Sequence, residues 1–123
     1  MTGKRRILFV DDDPSILAGF RNVFHRDRAR WEVVFANGGE QALAELARAP
    51  FDVVVSDMRM PGMDGVELLE RIRAEWPATA RVMLSGSEDK SELHRATASV
   101  DELLCKPCDT KTLRATLERM MRR

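Results

Sequence analysis

Three consecutive acids, Asp11-Asp12-Asp13, follow the apolar run Ile7-Leu8-Phe9-Val10, and another, Asp57, ends the apolar stretch Phe51 to Ser56. A carboxylate at the mouth of an apolar strand is costly to bury without a partner. Two further run ends carry polar groups: Ser85 closes Arg81-Val82-Met83-Leu84, and Lys106-Pro107 follows Leu103-Leu104-Cys105. Several carboxylates a few ångströms apart repel one another and favour a retained proton or a divalent cation. Oxygen ligands suit Mg2+, which uses one or two carboxylates, waters and a substrate phosphate. With an ammonium group from Lys106 and a hydroxyl from Ser85, such a cluster is a site for a phosphoryl group. An aspartate there can itself attack, forming an aspartyl-phosphate, while cations offset charge on the transferred oxygens.

That chemistry requires the run ends to meet, and the pattern of elements supplies the reason. Ile7–Val10 reads as a first strand, and Asp13-Pro14 as a helix cap followed by proline at the first helical position. Ile16, Leu17, Phe20, Val23 and Phe24 recur at helical spacing, predicting a helix to about Arg28. A strand over Trp31–Phe35, ended by Asn37-Gly38-Gly39, precedes a helix with Ala42, Leu43, Leu46 and Ala47 on one face, stopped by Pro50. After the third strand, Pro61, Gly62 and Gly65 mark a loop. Asp64 and Glu67 have the spacing of a capping box for a helix lined by Val66, Leu69, Ile72 and Trp76. A fourth strand over Arg81–Ser85, a weaker fourth helix over about 90–98, a short fifth strand at Leu103–Cys105 and a last helix capped by Asp109 complete the chain. This last helix presents Leu113, Leu117, Met120 and Met121. Alternating strands and helices with short connections call for a parallel sheet covered on both faces. The nearly unbroken apolar strands fit that burial. The predicted fold is α/β, a five-stranded parallel sheet in the order 2-1-3-4-5, flavodoxin-like. In this order the first and third strands adjoin at the switch point, where open α/β sheets bind ligands, so Asp11, Asp12 and Asp57 share a crevice.

The 123 residues fit one domain, with 44% apolar residues for a core and 33% charged for a solvated surface. Twenty Lys and Arg balance twenty Asp and Glu, so no global field points to nucleic acid or an acidic membrane. No apolar run approaches the roughly 20 residues of a membrane span. Two cysteines are too few for a disulfide scaffold, and a reducing, cytoplasmic setting is expected.

The motifs Ile-Leu-Phe-Val-Asp-Asp-Asp-Pro at 7–14, Ser-Asp-Met-Arg-Met-Pro-Gly-Met-Asp-Gly at 56–65, Leu-Ser-Gly at 84–86 and Lys-Pro at 106–107 occur in the order and spacing of one family. Over essentially its full length the chain resembles the receiver (response regulator) domain of two-component signalling. The resemblance implies that Asp57 accepts a phosphoryl group from a phosphohistidine on a sensor histidine kinase or phosphotransfer protein. It implies that Asp12 holds Mg2+ directly, Asp11 through water, and that Asp57 and the backbone carbonyl of Arg59 complete the protein ligands. Ser85 and Lys106 would bind phosphoryl oxygens, with movement of Ser85 beginning the switch, and Arg59 and Ser87 would tune the lifetime of the phosphorylated state. The output surface would be the fourth helix, fifth strand and fifth helix, which could also carry dimerisation. The family usually has Tyr or Phe three residues before the lysine; here Leu103 stands there and has no ring to swing. Lys-Pro-Cys-Asp at 106–109 resembles receivers joined to HD-type output domains, so the chain reads as one receiver domain over 1–123, either stand-alone or the N-terminal part of a longer protein. It is expected to be a signalling switch rather than a metabolic enzyme.

Plainer explanations compete for each residue. Asp13 precedes Pro14, and capping explains it better than ligation. Asp57, Ser85 and Lys106 could each be turn chemistry taken singly; together they favour the site. Cys105-Lys106-Pro107-Cys108 is the rival with its own chemistry: a C-x-x-C between a strand and a helix can be a thiol redox pair. Such motifs follow an early strand, and the redox reading leaves the acids unexplained, so Cys105 is taken as a core residue. His25 and His94 read as solvated helix residues, and Met58, Met60 and Met63 as packing beneath the loop. Asp11 and Asp13 also have the D-x-D spacing of haloacid dehalogenase-type phosphohydrolases, but Pro14 breaks that signature.

Overall fold

The computed structural model describes residues 4–86 and 98–122. Five parallel strands, β1 (Arg5–Val10), β2 (Trp31–Ala36), β3 (Val53–Asp57), β4 (Ala80–Ser85) and β5 (Glu102–Cys105), form one sheet in the order β2-β1-β3-β4-β5. The helices are α1 (Pro14–Phe24), α2 (Gly39–Arg48), α3 (Gly65–Glu75) and α4 (Thr110–Met121), the last being the expected final helix. The helix expected over about 90–98 falls on residues 87–97, outside the described residues, apart from Ala98.

Strand side chains alternate between faces, and the two faces carry separate cores. Leu8, Val10, Val54 and Met83 pack against Ala42 and Leu46 of α2 and Val66, Leu69 and Ile72 of α3. Ile7, Phe9, Val53, Val55 and Val82 pack against Leu17 and Phe24 of α1 and Leu113 and Leu117 of α4. Phe9 anchors the second core, with its ring 4.6 Å from Phe20 and 5.3 Å from Phe24. Burying a side chain of this size stabilises by about 1.5–3 kcal/mol. The first core is sealed beneath the β3–α3 loop by Met58 and Met60, with Met63 packed against it.

The caps lie where the sequence puts them. The Asp13 carboxylate accepts from the Ser15 amide at 2.9 Å, Asp64 and Glu67 form a reciprocal box, and Asp109 accepts from the Thr112 amide at 2.7 Å. Each such cap contributes about 1 kcal/mol.

Three expectations are corrected. The first helix ends at Phe24 rather than near Arg28 and continues as a single 3-10 turn, His25–Asp27. Ile16 shares helical spacing with core residues yet is 43% exposed, because it sits at the edge of the apolar stripe, beyond the reach of the sheet. Cys105 is exposed rather than part of the core, because it is the last residue of a short strand and extends past the layer that covers Leu103 and Leu104.

The turn ends at Asp27 because that side chain is buried and bound from two directions. Arg30 donates to its Oδ1 at 2.8 Å and Arg114 of α4 to its Oδ2 at 3.1 Å, while Arg30 also reaches Glu118 at 2.9 Å. Burial opposes the charged form of Asp27, but the hydrogen bonds and charges of the two arginines outweigh it and hold the carboxyl below the usual aspartate range. The ion pair therefore adds stability that is complete above the unfolded-state value of about 3.9 and is lost as pH falls through the lower folded value. Asp27→Asn is expected to lower unfolding free energy at pH 7 by about 1–3 kcal/mol in urea titrations, and the gap between variant and parent should close in strong acid.

Candidate functional site

Pairing register brings the polar run ends together. Val10 of β1 lies beside Ser56 of β3, so Asp11 follows at the level of Asp57, and the Asp11 amide donates to the Ala36 carbonyl at 3.2 Å. On the other side of β3, Asp57 pairs with Leu84, and Ser85 pairs with Cys105 of β5. The Lys106 amide donates to the Ser85 carbonyl at 2.8 Å, which starts the lysine side chain at the same end of the sheet.

Asp11, Asp12 and Asp57 each offer a carboxylate oxygen, all within 4.8 Å of one another. Asp11 and Asp57 are buried, at 4% and 8% exposure, while Asp12 is exposed. Lys106 Nζ donates to Asp57 Oδ1; its side chain is 42% exposed against 11% for the aspartate. Ser85 is buried at the end of β4. Burial raises the Asp11 pKa, and the charges of Asp57 and Asp12 raise it further, against a hydrogen bond from the Asp13 amide and the positive charge of Lys106. One ammonium group thus faces three carboxylates, and the remaining negative charge and oxygen donors fit a hard divalent cation.

The backbone beneath Asp57 is fixed tightly. The Met58 amide donates to the Leu84 carbonyl at 3.0 Å, and the Gly65 amide to the Met58 carbonyl at 2.8 Å. A Cβ on Gly65 would lie 2.2 Å from the Asp57 carbonyl oxygen, so only glycine lets α3 start this close to the site. Beside the acids, a groove of about 680 Å3 opens between α1 and the start of α4, lined by Ile16, Gly19, Phe20, Cys108 and Leu113, with Asp11 and Lys106 at one end.

The chain matches the model of the response regulator receiver domain over residues 7–118. It belongs to that family. Among solved structures, the signal receiver domain of an HD domain-containing protein from Pseudomonas fluorescens is 31% identical, with a TM-score of 0.90, covering 99% of this chain and 90% of that one. The response regulator protein TrrA of Thermotoga maritima, solved in complex with Mg2+-BeF, is 27% identical with a TM-score of 0.81, covering 94% of this chain and 98% of that one. Among curated relatives, the heme response regulator HssR of Staphylococcus haemolyticus is 33% identical over 119 residues, covering 96% of this chain and 52% of that protein. The chain spans about half the length, or less, of the first curated relatives it matches.

Of the residues expected to form the site, Asp11, Asp12, Asp57 and Lys106 come together, and Ser85 closes β4 at the same end of the sheet. Arg59 is exposed in the loop after β3 and Ser87 lies outside the described residues. Leu103 is half-buried against the core that holds Met83. Sequence reasoning missed two features: the close approach of Gly65, which appeared only as a loop marker, and the exposed Ile16 beside the acids.

Neither rival gains from the structure. Leu103 packs in one core and Leu104 in the other, so strand alternation directs Cys105 to the face away from Cys108, which packs with Leu104. Burial raises the Cys108 pKa, helped by the charges of Asp109 and Cys105, the reverse of what a reactive thiolate needs. Asp13, the second acid of the D-x-D spacing, is committed to Ser15 through both amide and hydroxyl. No helix among the described residues is long and apolar enough to cross a membrane.

Gly65→Ala is expected to lose about 1–3 kcal/mol of stability through the forced shift of backbone at Asp57. Gly19→Ala, whose Cβ would meet nothing within 4 Å, should be neutral or gain up to about 1 kcal/mol as a helix substitution. Paired urea titrations of the two variants check this.

Proposed function

We propose that the chain is a phosphoacceptor switch in which Asp57 takes a phosphoryl group from a phosphohistidine on a sensor histidine kinase or phosphotransfer protein. The observation that carries this reading is the Lys106 ammonium resting on the Asp57 carboxylate beside Asp11 and Asp12. An Asp57 oxygen attacks phosphorus opposite the histidine nitrogen; the O–P bond forms as the P–N bond breaks, and the imidazole leaves with the electron pair. The Lys106 amine follows the charge from the carboxylate to a phosphoryl oxygen, and Ser85 donates its hydroxyl to another. Mg2+, held by Asp11, Asp12, Asp57 and the Arg59 carbonyl, would neutralise charge on the transferred oxygens. Arg59 and Ser87 would govern water access to the acyl phosphate and so its lifetime.

The product carries more negative charge than the carboxylate it replaces, and the added charge shifts a balance between two arrangements of the neighbouring loops. Leu103 would pass on the change by repacking against Met83 rather than by turning a ring. The controlled element is an output domain or partner protein in the cytoplasm. An HD-type domain is favoured by Lys-Pro-Cys-Asp at 106–109 and by the Pseudomonas fluorescens relative. The face formed by the segment before β5, β5 and α4 would be the output surface, and would carry any dimerisation.

Incubation with acetyl phosphate and MgCl2 is expected to add one phosphoryl group by intact mass, and Asp57→Asn to add none; an adduct on that variant would move the acceptor elsewhere. The groove at Ile16 opens beside the acids, where a surface of the donor would dock. Ile16→Glu should slow transfer from a phosphorylated protein donor by about tenfold or more, while labelling by acetyl phosphate stays at the parent rate. Equal slowing of both reactions would place the effect in the site rather than in docking.

A further inference from the structure

β2 forms one edge of the sheet and, among the described residues, is bonded only to β1. Its bonds to β1 come from alternate residues: the amides of Arg5 and Asp11 donate to the carbonyls of Arg30 and Ala36, each at 3.2 Å. In a parallel ladder with this period, Glu32 and Val34 also face β1, and the amides and carbonyls of Trp31, Val33 and Phe35 are left on the open edge. Natural edges are blunted by charged side chains, lysine above all, by proline, a bulge, a covering element or very short length; the single charge on β2, Glu32, is paired with Arg6. β2 has six residues without Pro or Lys, and Val33, Val34 and Phe35 are only half-buried.

The ground beside this edge is positively charged. A groove of about 400 Å3 runs from the end of α1 along β2, lined by Arg21, His25, Arg28, Trp31, Val33 and Phe35. Arg21, Arg26 and Arg28 are exposed, and no carboxylate among the described residues pairs with them. Asp27, the acid within the segment, is buried and taken by Arg30 and Arg114, and Glu32 pairs with Arg6 at 3.5 Å. Open backbone groups, half-buried apolar side chains and the cations Arg21 and Arg28, with no carboxylate partner among the described residues, thus occupy one strip.

We infer that the β2 edge, with the cations at the end of α1, is a docking site for an extended acidic segment of a partner protein, which adds to the sheet as a sixth strand. Main-chain bonds to Trp31, Val33 and Phe35 supply affinity, and Arg21 and Arg28 select acidic side chains. A second copy of this chain is a poorer occupant, since two-fold pairing along the edge would bring the two sets of arginines together. Single-stranded nucleic acid lacks a stacking platform, because Arg21 covers the Phe35 ring at 4.6 Å and Arg30 the Trp31 ring at 4.0 Å. The site is remote in role from phosphoryl transfer and its test does not depend on that reading.

The probe is a capped fluorescent peptide alternating Glu and Val, titrated into the 15N-labelled chain. Comparators are a Lys–Val peptide of the same pattern, the Glu–Val peptide N-methylated at alternate amides, and a short oligothymidylate. The Glu–Val peptide is expected to bind with amide shifts centred on Trp31, Val33 and Phe35, and to weaken as salt rises. N-methylation, or Val33→Pro on the open edge, should each weaken binding by about tenfold or more. The double variant Arg21→Glu, Arg28→Glu should exchange the preference to the Lys–Val peptide while keeping the parent spectrum away from β2. Absence of Glu–Val binding, equal binding of the N-methylated peptide, shifts centred elsewhere, tighter binding of the oligothymidylate, or self-association abolished by Val33→Pro would each overturn the inference.

Discussion

Repulsion between Asp11 and Asp57 is the constraint around which the rest of the domain is arranged. Their oxygens lie within 4.8 Å, and two such buried charges oppose each other by about 3 kcal/mol at an effective dielectric constant of ~20. A protein of ordinary stability has only about 5–15 kcal/mol in total, so the arrangement persists because other interactions offset it. Lys106 supplies one positive charge directly on Asp57, the Asp13 amide binds Asp11 at 2.9 Å, and two apolar cores hold the strands in register beneath. The Asp11 pKa is still raised, chiefly by burial and further by the charges of Asp57 and Asp12. A cluster that remains too negative after its own counter-ion is in place is one that a cation can stabilise.

The sheet order converts this local tension into a site. With β1 and β3 adjacent, the chain leaves each strand at the same end, and helices on opposite faces carry the following segments apart. The divergence opens a crevice whose floor is backbone. That floor is rigid for a stated reason: Gly65 admits α3 to within contact of the Asp57 carbonyl, and Met58 bonds across to Leu84. A fixed backbone beneath Asp57 suits the proposed group transfer, in which the nucleophile must not retreat from an incoming phosphorus.

Much of this is legible in the amino-acid sequence. Strand and helix alternation called for a parallel sheet, whose order followed a common doubly wound arrangement; Pro14 and the Asp–Glu spacing at 64 and 67 marked the caps, and the acids at two strand ends marked the crevice. Burial at the margins was not legible. Ile16 and Cys105 are apolar or nearly so, and pattern alone assigned them to the core, yet one lies at the rim of a helix stripe and the other is the last residue of an edge strand. Asp27 carries no signal of its burial in the sequence, where it is a single acid among arginines, and only the approach of Arg114 from α4, 87 positions later in the chain, accounts for that burial. Gly65 shows the same limit, since a glycine needed for close approach looks identical in sequence to one needed for a turn.

The same geometry restricts how a phosphoryl group on Asp57 could be sensed. The Lys106 backbone is tied to Ser85 and the Asp57 backbone is held by Gly65 and Met58, so neither strand end is free to travel far. The Lys106 side chain is nearly half exposed and can swing from carboxylate to phosphoryl oxygen without disturbing the sheet. A change confined to side chains must then be passed on by whatever packs beside them. On the β5 side that residue is Leu103, half-buried against the core shared with Met83. An aliphatic side chain there can shift by a rotamer step but cannot present a polar edge inward and an apolar face outward in turn, as an aromatic phenol can. Under the proposed function, the surface near β5 would respond through packing alone, which makes the partner's apolar contacts, rather than its hydrogen bonds, the carriers of the signal.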